Sequence, residues 1–179
     1  DQWEQMLPLT FTRPIAELRV GICTIKEKWD HFLDTKCSFL TQDYLQAKFP
    51  LVLEDLNLLI NASILPSMEL AHQVMNLQPG EALVKENTLI AVFMTQVEAQ
   101  DFTINRTHKC KEIQCSSGLS SIMFPWDIFL KNEEQINADF EWVVNKRKSA
   151  PLSNTNKLIQ PGNIFMEEGA KVECSILNA

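Results

Sequence analysis

The chain has 179 residues, 45% hydrophobic and 22% charged, which is the balance of a folded globular domain and excludes both a disordered tail and a disulfide-held mini-protein. Its net charge of −7 and pI near 5.0, with Lys146, Arg147 and Lys148 the one tight run among 16 otherwise dispersed cations, argue against a nucleic-acid surface. No apolar stretch approaches the roughly 18 residues that span a bilayer, and the start lacks a signal-peptide layout, so the expectation is a soluble protein without a membrane partner.

Five cysteines (Cys23, Cys37, Cys110, Cys115 and Cys174) are an odd number at irregular spacing, mostly beside apolar neighbours, which suits reduced thiols in the cytoplasm. His108, Cys110 and Cys115 lack a C-x-x-C pair and a nearby fourth ligand, so no metal site is expected there. Asn61-Ala-Ser63 and Asn105-Arg-Thr107 match the glycosylation sequon by chance. The first lies in the apolar run LNLLINASIL, where a sugar would be forced into a core.

The chain opens at Asp1, and further sequence is expected upstream. DQWEQMLPLTFTRP reads as loop because Pro8 and Pro14 bracket it and remove backbone donors. From Ile22 to Leu33, the spacing of Ile22, Ile25, Trp29, Phe32 and Leu33 predicts an amphipathic helix covering a sheet. A short helix at TQDYLQAKF stops at Pro50, and VLEDLNLLIN reads as a buried strand. Ser67 caps a helix over SMELAHQVMNL, closed by Pro79-Gly80. EALV and TLIAVFM form two strands joined by a tight loop at Lys85, Glu86 and Asn87. This alternation predicts an α/β architecture. Residues 100–121 are polar without a period and read as loop, whereas FPWDIFLKNEEQINADFEWVV regains helical spacing through Phe129, Ile136, Phe140 and Val143, with Pro125 and Asp127 suited to its start. A polar linker is expected over 149–161. In MEEGAK and VECSIL, Met166 and Val172 open six-residue units of the hexapeptide β-helix type, too few for a stable solenoid, so the chain reads as entering a second domain.

LPLTFTRPIAELRVGICTI closely resembles the PLTxxRPK segment that follows the glycine loop of sugar-nucleotidyltransferases. Together with the terminal hexapeptide units, it resembles the two-domain N-acetylglucosamine-1-phosphate uridyltransferase / glucosamine-1-phosphate acetyltransferase family. LTQDYLQAKFP, LLINASILP, PWDIF and APLSNTN are similar to its divergent Bacteroidetes-type branch. The resemblance implies a Rossmann-like nucleotidyltransferase sheet covered by helices in residues 1–148, a linker over 149–161, and the first coil of a left-handed β-helix over 162–179. It further implies transfer from UTP to a sugar-1-phosphate to form UDP-N-acetylglucosamine with Mg²⁺, in cell-envelope biosynthesis. Acetyl-CoA use and a homotrimer are implied where a full-length β-helix is present. The alternative is a degenerate sugar-nucleotide-binding or scaffold domain attached to a trimeric β-helix acyltransferase.

Aligned on that motif, the loop glycines become Asp1 and Trp3, the loop arginine Gln5, the lysine Ile15, and the metal-binding aspartate Ser63. Glycines let backbone approach phosphate, so the cradle is degraded. The remaining candidates are the hydroxyls of Thr10 and Thr12 and the cations Arg13 and Arg19 for nucleotide phosphate, with turn-forming hydroxyls and surface cations as their plainer roles. Asn61 and Ser63, at a strand's carboxyl end, are the sugar- or metal-side candidates, although Asn61 could simply satisfy neighbouring backbone. Asp127 could bind metal or cap its helix. His31 and His72 read as surface positions on helices.

Overall fold

The computed structural model describes residues 2–102 and 110–179, in two compact units, Asp1–Asp139 and Phe140–Ala179. Asp1, the Asn105 sequon and His108 lie outside the described residues. No described helix is long and apolar enough to cross a membrane.

The first unit is built on a four-stranded sheet in the order β1-β4-β3-β5, with β1 at Leu56–Ile60, β3 at Glu81–Lys85, β4 at Thr88–Thr95 and β5 at Lys111–Gln114. The hairpin expected from EALV and TLIAVFM is β3 and β4, paired antiparallel and turned through Glu86 at φ 53°. β4 also pairs antiparallel with β1, and β3 pairs parallel with β5, so β1, β3 and β5 run the same way. Residues of β3 and β4 alternate between two apolar clusters, as a period of two requires, except where the register shifts between Leu83 and Val84 and the consecutive Ile90 and Ala91 fall in one cluster. Leu83, Ile90 and Ala91 face one cluster, and Ala82, Val92 and Met94 the other.

The larger cluster is covered by α1 (Ile25–Leu33) and α3 (Met68–Met75), through Ile25, Trp29, Leu70, Ala71 and Val74. α1 begins three residues later than its periodicity suggests, because Gly21 (φ 84°) and an Arg19–Thr24 bridge turn the chain first. Thr24 and Glu27 then close a capping box. Ser67 caps α3 as expected, its Oγ accepting from the Leu70 amide at 3.2 Å. α2 is a single turn, Asp43–Gln46, and α4 spans Gln96–Gln100 on the second cluster. β2 (Ile64–Leu65) pairs antiparallel with β6 (Ser120–Ser121). β5 and β6 correct the loop expected over 100–121: KEIQ is a polar edge strand with one half-buried side chain, Ile113, and carries no alternation to read.

α5 (Pro125–Val143) has the expected extent but a different face. Phe129 is 83% exposed, Leu130 70%, Trp126 60% and Ile136 39%, whereas Gln135 and Asp139 are buried. Phe129 and Ile136 are therefore not core residues, and apart from the half-buried Ile128, which packs on the larger cluster, the inward stripe is polar.

In the second unit, α5 continues to Val143. The expected linker carries β7 (Lys157–Ile159), which pairs parallel with β8 (Ile176–Asn178). Between them stands one 3₁₀ turn, Pro161–Asn163, and no further strand among the described residues. Met166 is the one buried apolar side chain described in this unit.

Candidate active site

The N-terminal loop is shaped by its own backbone hydrogen bonds. Amides that a glycine loop would offer to phosphate are used inside turns: Met6 to the Gln2 carbonyl at 3.1 Å, Leu7 to Glu4 at 3.2 Å, Leu9 to Met6 at 3.0 Å and Phe11 to Pro8 at 3.2 Å. Met6, where the glycine-loop pattern gives way, is fully buried. Thr10 is fully buried as well. Its hydroxyl donates to the Trp3 carbonyl at 2.8 Å while the Trp3 indole donates to the Thr10 carbonyl at 3.1 Å. That hydroxyl is thus a clamp inside the loop and does not face a ligand.

Thr12 and Arg13 follow immediately, and both side chains are exposed. No hydrogen bond or ion pair joins Arg13 to a described residue; in particular it does not pair with Glu17. Arg19, the other expected phosphate cation, is engaged: its guanidinium donates to the Ile22 carbonyl and lies 3.7 Å from Glu27.

The loop reaches the sheet where ligands of α/β proteins collect, at the carboxyl ends of β1, β3 and β5. Ser63, beyond β1, is 2% exposed, and its Oγ lies 3.5 Å from Gln2 Oε1. It donates to Asn61 Oδ1 at 2.8 Å, and the Ser63 amide donates to the same oxygen at 3.1 Å. Asn61 Nδ2 donates to the Leu89 carbonyl at 3.0 Å. Both side chains are satisfied within the protein, and neither carries charge. Sequence reasoning missed Lys85, at the carboxyl end of β3, whose Nζ donates to the Ser117 carbonyl. Ser120, in β6, carries a buried Oγ that has no hydrogen-bond partner among the described residues.

A second anion-type cradle precedes α1, and it is already filled. The amides of Ile22 and Cys23 donate to Asp139 Oδ2 at 2.9 and 3.0 Å, and the Lys28 ammonium pairs with Asp139 Oδ1. Asn132 Oδ1 accepts from the Gly21 amide at 3.0 Å. Lys28 and Asp139 are each 2% exposed, so this is a buried ion pair with its remaining lone pairs satisfied. Gly21 is required here. A Cβ would stand 2.7 Å from the Gln135 carbonyl oxygen, at a φ of 84°.

The residues present do not fit a Mg²⁺ ion held by protein carboxylates. At the end of β1 a neutral Ser63–Asn61 pair stands where an aspartate is expected, and no group of three His, Cys, Asp or Glu side chains comes together among the described residues. Asp127 spends one carboxylate oxygen on the amides of Met123 and Phe124, at 2.8 and 2.9 Å, as a helix-start residue does. The cysteines are free, and burial raises the Cys23 and Cys110 thiols, with Asp139 and Glu98 respectively adding to the effect. His31 and His72 are exposed.

A mixed sheet with helices packed on it and polar loops at the carboxyl ends of its parallel strands makes this an α/β domain, an architecture consistent with a nucleotidyltransferase. The sugar nucleotidyl transferase family model matches residues 1–148, and the chain belongs to that family. Its substrates are therefore, in general terms, a nucleotide and a sugar phosphate. A search of the curated proteins finds no match.

Proposed function

We propose that residues 1–148 catalyse attack of the phosphate oxygen of N-acetylglucosamine-1-phosphate on the α-phosphorus of UTP. The bond to the β-phosphate breaks, and UDP-N-acetylglucosamine and pyrophosphate leave. The observation that carries this reading is Arg13: a cation with no hydrogen-bond or ion-pair partner among the described residues, beside the Thr12 hydroxyl, in a loop that Thr10 and Trp3 hold together. A guanidinium fork placed without reorganisation suits a developing phosphoryl charge. Thr12 supplies a neutral donor to the same anion. The test is pyrophosphate release by the full-length protein from UTP and the sugar phosphate in the presence of Mg²⁺. Absence of turnover with every nucleotide and sugar-phosphate pair would overturn it.

One observation favours a second reading, a domain that binds a sugar nucleotide without transferring it. The Ser63–Asn61 pair is neutral and internally satisfied where metal-handling charge is expected. Calorimetry separates the two: metal-dependent UTP binding supports transfer, and metal-independent binding of UDP-N-acetylglucosamine supports the alternative.

For residues 162–179 the reading is the first coil of a left-handed β-helix. The parallel pairing of Lys157 with Ile176 supports it, because that 19-residue stagger is close to three hexapeptides. Acetyl-CoA chemistry and trimerisation are proposed only for a completed β-helix, and a cytoplasmic location accompanies the same reading.

A further inference from the structure

The clamped N-terminal loop displays two aromatic rings that the fold does not bury. Phe11 is 57% exposed and Tyr44 58% exposed. They come from separate segments and are tied together: the Tyr44 hydroxyl donates to the Phe11 carbonyl at 3.0 Å, and Trp3 meets the Tyr44 ring edge-on with centroids 6.5 Å apart. Trp3 is in turn the residue that exchanges hydrogen bonds with Thr10. Every neighbour in this chain of contacts serves to fix where Phe11 and Tyr44 stand, while more than half of each residue stays open to solvent. Thr12 and Arg13 continue directly from Phe11.

We propose that Phe11 and Tyr44 form the wall on which the nucleobase of a nucleoside triphosphate stacks, with Arg13 taking its phosphates. This rests on the nucleotide-binding part of the reading above and adds the base-side residues to it. Residues 11–13 form a bend, and two residues of chain reach at most about 7 Å, no more than the distance that separates a base from its own phosphates, so Phe11 and Arg13 can be engaged by one ligand. An aromatic wall recognises the π-face that every base presents and therefore contributes affinity without choosing among bases. The polar selection of a base must come from elsewhere in the site.

The experiment is calorimetric titration of the full chain and its variants with UTP and, separately, with inorganic tripolyphosphate. Phe11→Leu and Tyr44→Leu are expected to weaken UTP binding about tenfold each and to leave tripolyphosphate binding within twofold of the parent. Arg13→Ala is expected to weaken both ligands. Because both rings are exposed, thermal midpoints should stay close to the parent value; if one leucine variant fails to fold, the other carries the test. Unchanged UTP affinity in a folded leucine variant overturns the stacking wall while leaving the transferase reading intact. Loss of UTP affinity in a protein that shows no pyrophosphate release supports the wall and overturns transfer. A parent protein that binds no nucleoside triphosphate overturns both.

Discussion

Asp139 and Lys28 are partners, but their removal should not be equivalent. Asp139→Ala leaves the Lys28 ammonium and the amides of Ile22 and Cys23 buried without their acceptor. Breaking a buried pair in this way costs about 3–5 kcal/mol. Lys28→Met leaves the carboxylate still accepting two backbone bonds and fills the space with apolar atoms, so urea denaturation should show the smaller loss. Gly21→Ala should cost about 2 kcal/mol or more in the same assay, since both φ and the Gln135 carbonyl oppose a side chain. The thiols offer an independent check. Burial, then the hydrogen bond to Asp30, pushes Cys37 up to about 12 from 9.0, whereas Cys174 is exposed. Iodoacetamide at pH 8 should modify Cys174 well before Cys37. Above pH 9 the unfolded chain ionises Cys37 while the folded chain keeps its proton, so that thiol's contribution to stability declines from pH 9 toward about 12. Replacing Cys37 with alanine should flatten that limb of the stability profile.

At the level of elements, what the sequence made legible depended on how locally each signal was written. The Ser67 cap and the β3–β4 hairpin are set by neighbours within a few residues, and both stand as read; the Thr24 box is equally local but was overlooked, because the apolar period carries on back to Ile22. The face of α5 was misread because two stripes share its period. Phe129 and Ile136 mark one, Asn132, Gln135 and Asp139 the other, and the polar stripe wins because Lys28 and the Gly21 loop supply its partners. Those partners lie more than a hundred residues away, where no pattern search in a helix window can see them. In the site, the motif singles out Arg13, and its exposure is compatible with that reading. The inward turn of Thr10 and the pairing of Arg19 depend on Trp3 and Glu27 in three dimensions. The helix reading has a direct test: Phe129→Ala should change stability by less than about 0.5 kcal/mol, against the 3–5 kcal/mol of a core phenylalanine.

Across the whole molecule, apolar burial is unevenly shared. Ile90, Ala91 and Val92 at the centre of β4 are at most 1% exposed, while the second unit has Met166 alone as a described buried apolar residue. Hydrogen exchange should therefore be slowest along β4 and faster throughout Phe140–Ala179, since local opening exposes little apolar surface there. Comparable protection in the two regions would contradict that picture. The cradle before α1 also has a temporal meaning. Its acceptor, Asp139, lies 111 to 117 residues downstream of the groups it holds. A chain emerging from the ribosome presents Gly21 to Lys28 long before α5 exists, so the turn ahead of α1 stays open until synthesis has passed Asp139. Closing so long a loop is slow relative to forming the hairpin of β3 and β4. The turn from Gly21 to Lys28 is accordingly made well before its acceptor and is among the last parts of its unit to take final shape.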